Sequence, residues 1–289
     1  MIRQLILWLA LACTAGAQET APAPAAPSAS AAPPVRSLLL ASRQAAAPGD
    51  TLLLGLLLEP AAGWHLYWRG LNDSGLPPEP SLALPEGARW LEEWQWPAPE
   101  RLVSPGDILD HVYPRRLLLT AALLLPSAAP AEDGYTLRGK VDWVACREAC
   151  RFGSDSLSLH LPLRAAGQPP LASAAAARIE AVREALPIPL ANGQAGLTIA
   201  RGERSVLVAL DGAEELAFYP ALDCIVLSNP LADGEAIGDR LNLRLKGGAM
   251  AAGRLRGILA ALADGERRHY LLDHPLGATA SAESPPTKE

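Results

Sequence analysis

A succession of short apolar runs, each of strand length and each closed by a turn cluster, dominates residues 36–166. In order they are SLLLAS, TLLLGLLL, GWHLYW, ARWLEEWQW, RRLLLTAALLL, YTLRGKVDWVAC and DSLSLHLPL, divided by APGD, LNDSGLPPEP and SPGD. The last run alternates cleanly. Leu157, Leu159, Leu161 and Leu163 take one face, and Ser156, Ser158 and His160 the other. Half-apolar strands without intervening helical periodicity bury their faces sheet against sheet, so this region predicts a β-sandwich.

One stretch breaks the pattern. ASAAAARIEAVREAL, Ala172 to Leu186, has the Ala content and the Ile179, Val182, Leu186 spacing of a helix, and PIP ends it. Residues 167–189 are therefore a short helical, Ala-rich connector. A second strand series occupies 190–276: GLTIAR, RSVLVAL, LAFYP, LDCIVLS, RLNLRL, RLRGILAAL and RHYLLD, with Asp264-Gly265 as a hairpin turn. The expectation is an all-β protein of two sandwich domains.

The ends are of a different character. MIRQLILWLALACTAGA has the form of a secretory signal, with Arg3 as its positive end and Leu5 to Ala12 as a short apolar core. Ala15-Gly16-Ala17 is an A-x-A cleavage site, which puts the mature start at Gln18. Cys13 offers a rival reading as a lipid acceptor, weakened by Ala10 where a Leu is usual. Residues 18–35 form an Ala/Pro-rich linker, and 277–289 a polar tail expected to be disordered. The most apolar later run, LLLTAALLLP, is strand-sized before Pro126 breaks it, too short to cross a bilayer. The mature chain is expected in the periplasm, where disulfides persist. A net charge of −6 argues against a nucleic-acid partner.

Of the four cysteines, Cys146, Cys150 and Cys224 lie beyond the leader. Cys224, in LDCIVLS, is expected to be a small buried hydrophobe. Cys146 and Cys150 form a Cys-x-x-x-Cys at the end of an alternating run. A bridge closing so short a loop stabilises by about 2 kcal/mol, against about 4 kcal/mol or more for a long loop. As a staple it is poor. Arg138, Lys140, Arg147 and Arg151 outnumber Asp142 and Glu148 around it, which favours a thiolate. Three readings stay open on the residues alone: an inert bridge, an exchangeable disulfide, and a two-thiolate copper(I) site. His65, His111 and His160 could complete a metal site, but their spacing is not that of closed zinc. No G-x-S-x-G elbow supports a hydrolase. The GWHLYW aromatics are expected to pack in the interior, and NDSG, Asn72 to Gly75, to make a turn.

Three stretches together resemble the N-terminal periplasmic domain of the DsbD family of thiol–disulfide interchange proteins, in its ScsB-type branch. They are GWHLYWRGLNDSGLPPE from Gly63, WQWPAPERL from Trp94, and VDWVACREAC followed by a leucine-rich strand ending LPL. The resemblance covers about 45–165, and extends loosely over 190–276. It implies an immunoglobulin-like sandwich whose redox pair is Cys146 and Cys150, with no cofactor beyond the disulfide. Electrons would come from a thioredoxin-like donor and pass to oxidised periplasmic proteins, a disulfide isomerase among them. The family shields its pair with a cap loop. GDILDHVYPRR holds that place here, so Asp110, His111 and Tyr113, with Asp73 in the NDSG turn, are the expected cap or partner-contact residues. Arg147 and Arg151 are the expected thiolate-stabilising residues. The family's membrane carrier and thioredoxin-like domain have no counterpart in this sequence, so a separate DsbD- or CcdA-like membrane protein is an expected partner. The rival classes are a non-catalytic protein-binding sandwich with a structural disulfide, and a copper(I)-handling protein.

Overall fold

The computed structural model describes residues 33–130, 133–165, 167–247 and 253–277. The expected leader, Cys13, nearly all of the linker and all but the first residue of the tail lie outside the described residues.

The first sandwich runs β1 (Val35–Ala41), β2 (Thr51–Pro60), β3 (His65–Tyr67), β4 (Glu79–Ala83), β5 (Arg89–Gln95), β6 (Glu100–Ser104), β7 (Ile108–Tyr113), β8 (Leu117–Leu124), β9 (Gly134–Cys146) and β10 (Cys150–Pro162). Two sheets form, in the orders β1-β2-β8-β5 and β10-β9-β3-β7-β6, with β4 also paired to β9. Their facing sides meet through Leu52, Leu54, Leu56 and Leu58 of β2, Leu117, Leu119 and Leu123 of β8, and Leu137, Val141 and Trp143 of β9. Strand geometry, which turns successive side chains to opposite faces, aims these side chains inward.

β2 is apolar on both faces for a separate reason. The helix α1 (Ala176–Glu184) lies across the outside of β2 and β8, and its Ile179 is fully buried. Gly55 makes the close approach possible. A Cβ there would stand 3.0 Å from Leu118 Cδ1 and 3.1 Å from Ile179 Cγ1. The helix is shorter than the predicted Ala172–Leu186. Residues before it are drawn into backbone pairing instead, with an Arg43–Ala172 bridge and Ser173 N–H donating to Ser42 O. The immunoglobulin-like, two-sandwich expectation holds.

The second sandwich continues with β11 (Ile188–Pro189), β12 (Leu197–Arg201), β13 (Ser205–Leu210), β14 (Glu215–Pro220), the short α2 (Pro230–Asp233), β15 (Glu235–Ile237), β16 (Arg240–Arg244), β17 (Gly253–Ala263) and β18 (Glu266–Leu276). Its sheets are β11-β18-β17-β14-β15 and β12-β13-β16. Asp264 and Gly265 turn the β17–β18 hairpin with φ of 51° and 74°. LDCIVLS, residues 222–228, is not the strand its composition predicts. It is a turn and loop held by an isolated Leu227–Leu245 bridge, with Leu222 and Val226 exposed.

The larger sheet of the second sandwich is covered on both sides. Leu216 and Phe218 of β14, with Leu259 and Ala261 of β17, enter its own core. The alternating residues Ala217, Tyr219, Ile258 and Ala260 pack into the core of the first sandwich. Polar links reinforce this seam. Leu71 N–H donates to Pro220 O at 2.9 Å, Gly70 bridges Ala221, and Arg101 pairs with Glu235 at 2.5 Å.

Candidate redox site

β9 and β10 form one long antiparallel hairpin, and the cysteines stand at its mouth. Cys146 and Cys150 are Cα partners in the ladder, joined by a disulfide around the turn Arg147-Glu148-Ala149. The two sulfur-bearing residues are unequal. Cys146 is 5% exposed, packed with Tyr67, Val112 and Val144 in a small cluster of its own, apart from the main core. Cys150 is exposed.

The other flank of β9 is divided. β3 pairs with the Cys146 end, placing His65 opposite Cys146, and β4 pairs farther along, from Glu79 opposite Asp142. The chain between them carries the NDSG turn. That turn is zipped to β7. Asp73 Oδ2 accepts from Leu109 N–H at 2.7 Å, and Asn72 Oδ1 accepts from His111 N–H at 2.7 Å. Asp110, 2% exposed, accepts from Ser74 N–H at 3.0 Å and Ser74 Oγ–H at 2.6 Å.

The expected cap segment is therefore not a loop over the pair. Residues 108–113 are a sheet strand between β3 and β6, and strand alternation separates their side chains. Val112 joins the Cys146 cluster. His111 is fully buried on the opposite side, its Nδ1 2.6 Å from Leu71 O and its ring 5.2 Å from that of Tyr219 in the seam. Burial is the main cause lowering its pKa. Tyr113 lies in the main core and donates its hydroxyl to Pro97 O at 2.7 Å. Of the four residues assigned to cap or partner contact, Asp110 alone bonds to a hydroxyl that is itself linked to the Cys146 cluster. Asp73 holds the turn.

Arg147 and Arg151 are brought together. Both guanidiniums lie over the Trp64 ring, 5.4 and 5.5 Å from its centroid. Positive charge is thus fixed at the hairpin tip by cation–π contact, and not left on free side chains. The histidines considered for a metal do not converge. His160 bonds Thr136 Oγ1 at 3.0 Å near the far end of β10, and His111 is in the seam. Cys224 is half-buried against the second core, and burial pushes its thiol up to about 11.

Two side chains next to the pair were not expected to serve thiol exchange, His65 having been considered only as a metal ligand and Tyr67 only as interior packing. His65 Nε2 is 3.1 Å from Tyr67 Oη, and Tyr67 Oη is 3.2 Å from Ser74 Oγ. Burial lowers the His65 pKa, with Asp110 opposing, and burial raises that of Tyr67. The period-two spacing of His65 and Tyr67 in HLY was the available signal. Beside them, Phe152 and Leu76 are 78% and 59% exposed and, with Pro77 and Val144, line a shallow apolar groove.

Residues 36–162 match the family described as "Thiol:disulfide interchange protein DsbD, N-terminal". That span, under half of the chain, coincides with the first sandwich. The DsbD-type match ends with β10, but the structural likeness continues. The N-terminal periplasmic domain of ScsB from Proteus mirabilis superposes with a TM-score of 0.52 at 17% identity, covering 83% of this chain and 92% of that one. At that identity the likeness is one of fold, and it includes both sandwiches. The major pilin subunit of Bacillus cereus aligns at a TM-score of 0.27 and 7% identity, over 84% of this chain and 66% of that one. No curated protein sequence matches the chain. Among the described residues no helix is long and apolar enough to cross a membrane, and Cys146 and Cys150 are joined as a disulfide.

Proposed function

We propose that this protein is a periplasmic carrier of reducing equivalents that works through the Cys146–Cys150 disulfide. A thioredoxin-like donor supplies the electrons, and oxidised periplasmic proteins receive them. The observation that carries this reading is the unequal burial of the two cysteines in a DsbD-type domain.

The exposed Cys150 sulfur is the one a partner thiolate reaches. Its attack forms a mixed disulfide and breaks the Cys146–Cys150 bond, the electron pair leaving on Cys146. A second donor thiol then resolves the mixed disulfide, leaving the donor oxidised and both protein cysteines reduced. The reverse sequence reduces a substrate disulfide. Arg147 and Arg151, held over Trp64, favour the thiolate forms by proximity of positive charge. The exposed Phe152 and Leu76 give a thioredoxin-like partner an apolar footing beside Cys150.

The test is the reduction potential of the pair, obtained by equilibrating the protein in glutathione and dithiothreitol buffers and trapping thiols. A value within roughly −120 to −270 mV, the span of working exchange proteins, supports the carrier. A value well below about −300 mV makes the bridge structural, and a protein-binding sandwich becomes the better reading.

A further inference from the structure

A single hydrogen-bonded line runs from a buried carboxylate to the cross-strand neighbour of Cys146. Asp110 Oδ2 and Ser74 Oγ are 2.6 Å apart, Ser74 Oγ and Tyr67 Oη 3.2 Å, and Tyr67 Oη and His65 Nε2 3.1 Å. His65 is the Cα partner of Cys146 on one side, and Cys150 is its partner on the other. Residues paired in this way project from the same face of the sheet, with Cβ atoms about 4.5–5.5 Å apart.

The chemistry of the groups sets the direction of the protons. A carboxylate only accepts, so Ser74 donates its hydroxyl proton to Asp110. Ser74 has no other proton, so Tyr67 donates to Ser74. With its own proton so placed, Tyr67 Oη accepts from His65. The neutral imidazole is therefore protonated on Nε2, and its free lone pair is on Nδ1.

We infer that His65 takes the proton from the Cys146 thiol when that sulfur closes the disulfide, and that Tyr67, Ser74 and Asp110 are positioning residues holding Nδ1 free for it. The inference rests on the exchange reading above. In the closing step Cys146 Sγ attacks the mixed disulfide at Cys150. The Cys146–Cys150 bond forms, the bond from Cys150 to the partner sulfur breaks, and the electron pair leaves with the partner as its thiolate. The Cys146 proton passes to His65 Nδ1. The protein is oxidised and the partner reduced.

A local acceptor is needed because Cys146 is 5% exposed and packs against Val112 and Val144. Apolar burial disfavours a free thiolate there and keeps bulk water from taking the proton. The titratable and charged groups on the elements flanking His65 are Tyr67 on β3, Asp110 on β7, the cysteines on β9 and β10, and Arg147 and Arg151 stacked on Trp64. Burial of His65 outweighs the charge of Asp110, so the ring is in its neutral, accepting form at neutral pH.

The experiment follows the reaction of the reduced protein, in a C224S background, with the aromatic disulfide DTNB by stopped-flow absorbance. The first released thiolate reports attack by Cys150, and the second reports closure by Cys146. The second phase is expected to slow as pH falls through the His65 titration, because the protonated ring accepts nothing. H65Q should slow that phase about a hundredfold at neutral pH and abolish its acid inflection, leaving the first phase within about twofold. D110N, whose amide can donate to Ser74 and so reverse the line, should slow the second phase alone by about tenfold and move the inflection. An unchanged second phase in H65Q, or equal slowing of both phases, overturns the role of His65 and leaves the carrier reading standing. A reduced unmodified protein with no second phase overturns the carrier reading, and this inference with it.

Discussion

Cys146 and Cys150 are direct partners across one rung of a β-ladder, yet one is buried and the other faces solvent. The asymmetry comes from their neighbours. β9 is an inner strand, with β3 pairing beyond Cys146, while β10 is the edge of its sheet. A two-sulfur site with one open side assigns the sulfurs different tasks. In the reduced protein iodoacetamide should alkylate Cys150 at least about tenfold faster than Cys146. C146S should accumulate a stable mixed disulfide with a partner, and C150S should not. Mass spectrometry of quenched samples checks both, and equal labelling would remove the basis for assigning the attacked sulfur.

The Arg147 and Arg151 guanidiniums both lie over the Trp64 ring. Replacing Arg147 with Ala should raise the pH at which the reactive thiolate forms by about half a unit, and Lys should restore most of the effect. W64A should loosen both arginines and lower stability by about 1–2 kcal/mol through lost packing and cation–π contact. Thiolate absorbance against pH and denaturant melts separate the two effects.

Phe152 is the most exposed aromatic side chain beside the pair. F152D should cut the rate of reduction by a thioredoxin-like donor about tenfold and leave the rate with a small thiol within about twofold. Stability should change little, since the side chain contributes almost nothing to the core. Equal loss with both reductants would mean that the residue shapes the disulfide and not the docking face.

His111 carries a pH dependence of stability. Burial holds its folded pKa below the ordinary 6.5, so the unfolded chain takes up a proton first as pH falls. Its stabilising contribution is complete above about 6.5 and declines as pH drops through that value. His65 and His269, also lowered by burial, act in the same direction. The melting temperature should therefore fall between pH 7.5 and 5.5, and H111Q should flatten part of the slope. A slope unaltered in H111Q would show that the seam histidine is not responsible.

The strands around the pair were legible because period-two alternation survives wherever one face is wet, as in Leu157, Leu159 and Leu161 of β10. It failed where both faces are covered. The Leu run of β2, interrupted only by Gly55, does not say that Ile179 of α1 is what seals its outer side. It also failed at LDCIVLS, whose apolar composition suits a strand although Leu222 and Val226 face solvent. The cysteine pair announced itself by local spacing. The Asp110–Ser74 bond joins residues 36 positions apart, and no local pattern encodes such a meeting. Reading Ile108–Tyr113 as a strand in place of a cap would have sorted Asp110 and Val112 from His111 and Tyr113 by alternation alone.

The sheet of β14 and β17, apolar on both faces, has one consequence for how this protein can be divided. A fragment ending near residue 166 would retain the disulfide hairpin but lose Tyr219, Ile258 and their neighbours from its interior. It would also free Gly70 and Leu71 from their pairing with Ala221 and Pro220, just ahead of the Asn72–Ser74 turn. The two sandwiches are therefore not interchangeable modules on a string. Anyone grafting the disulfide hairpin into another protein inherits a requirement for its neighbour, or a newly opened greasy wall.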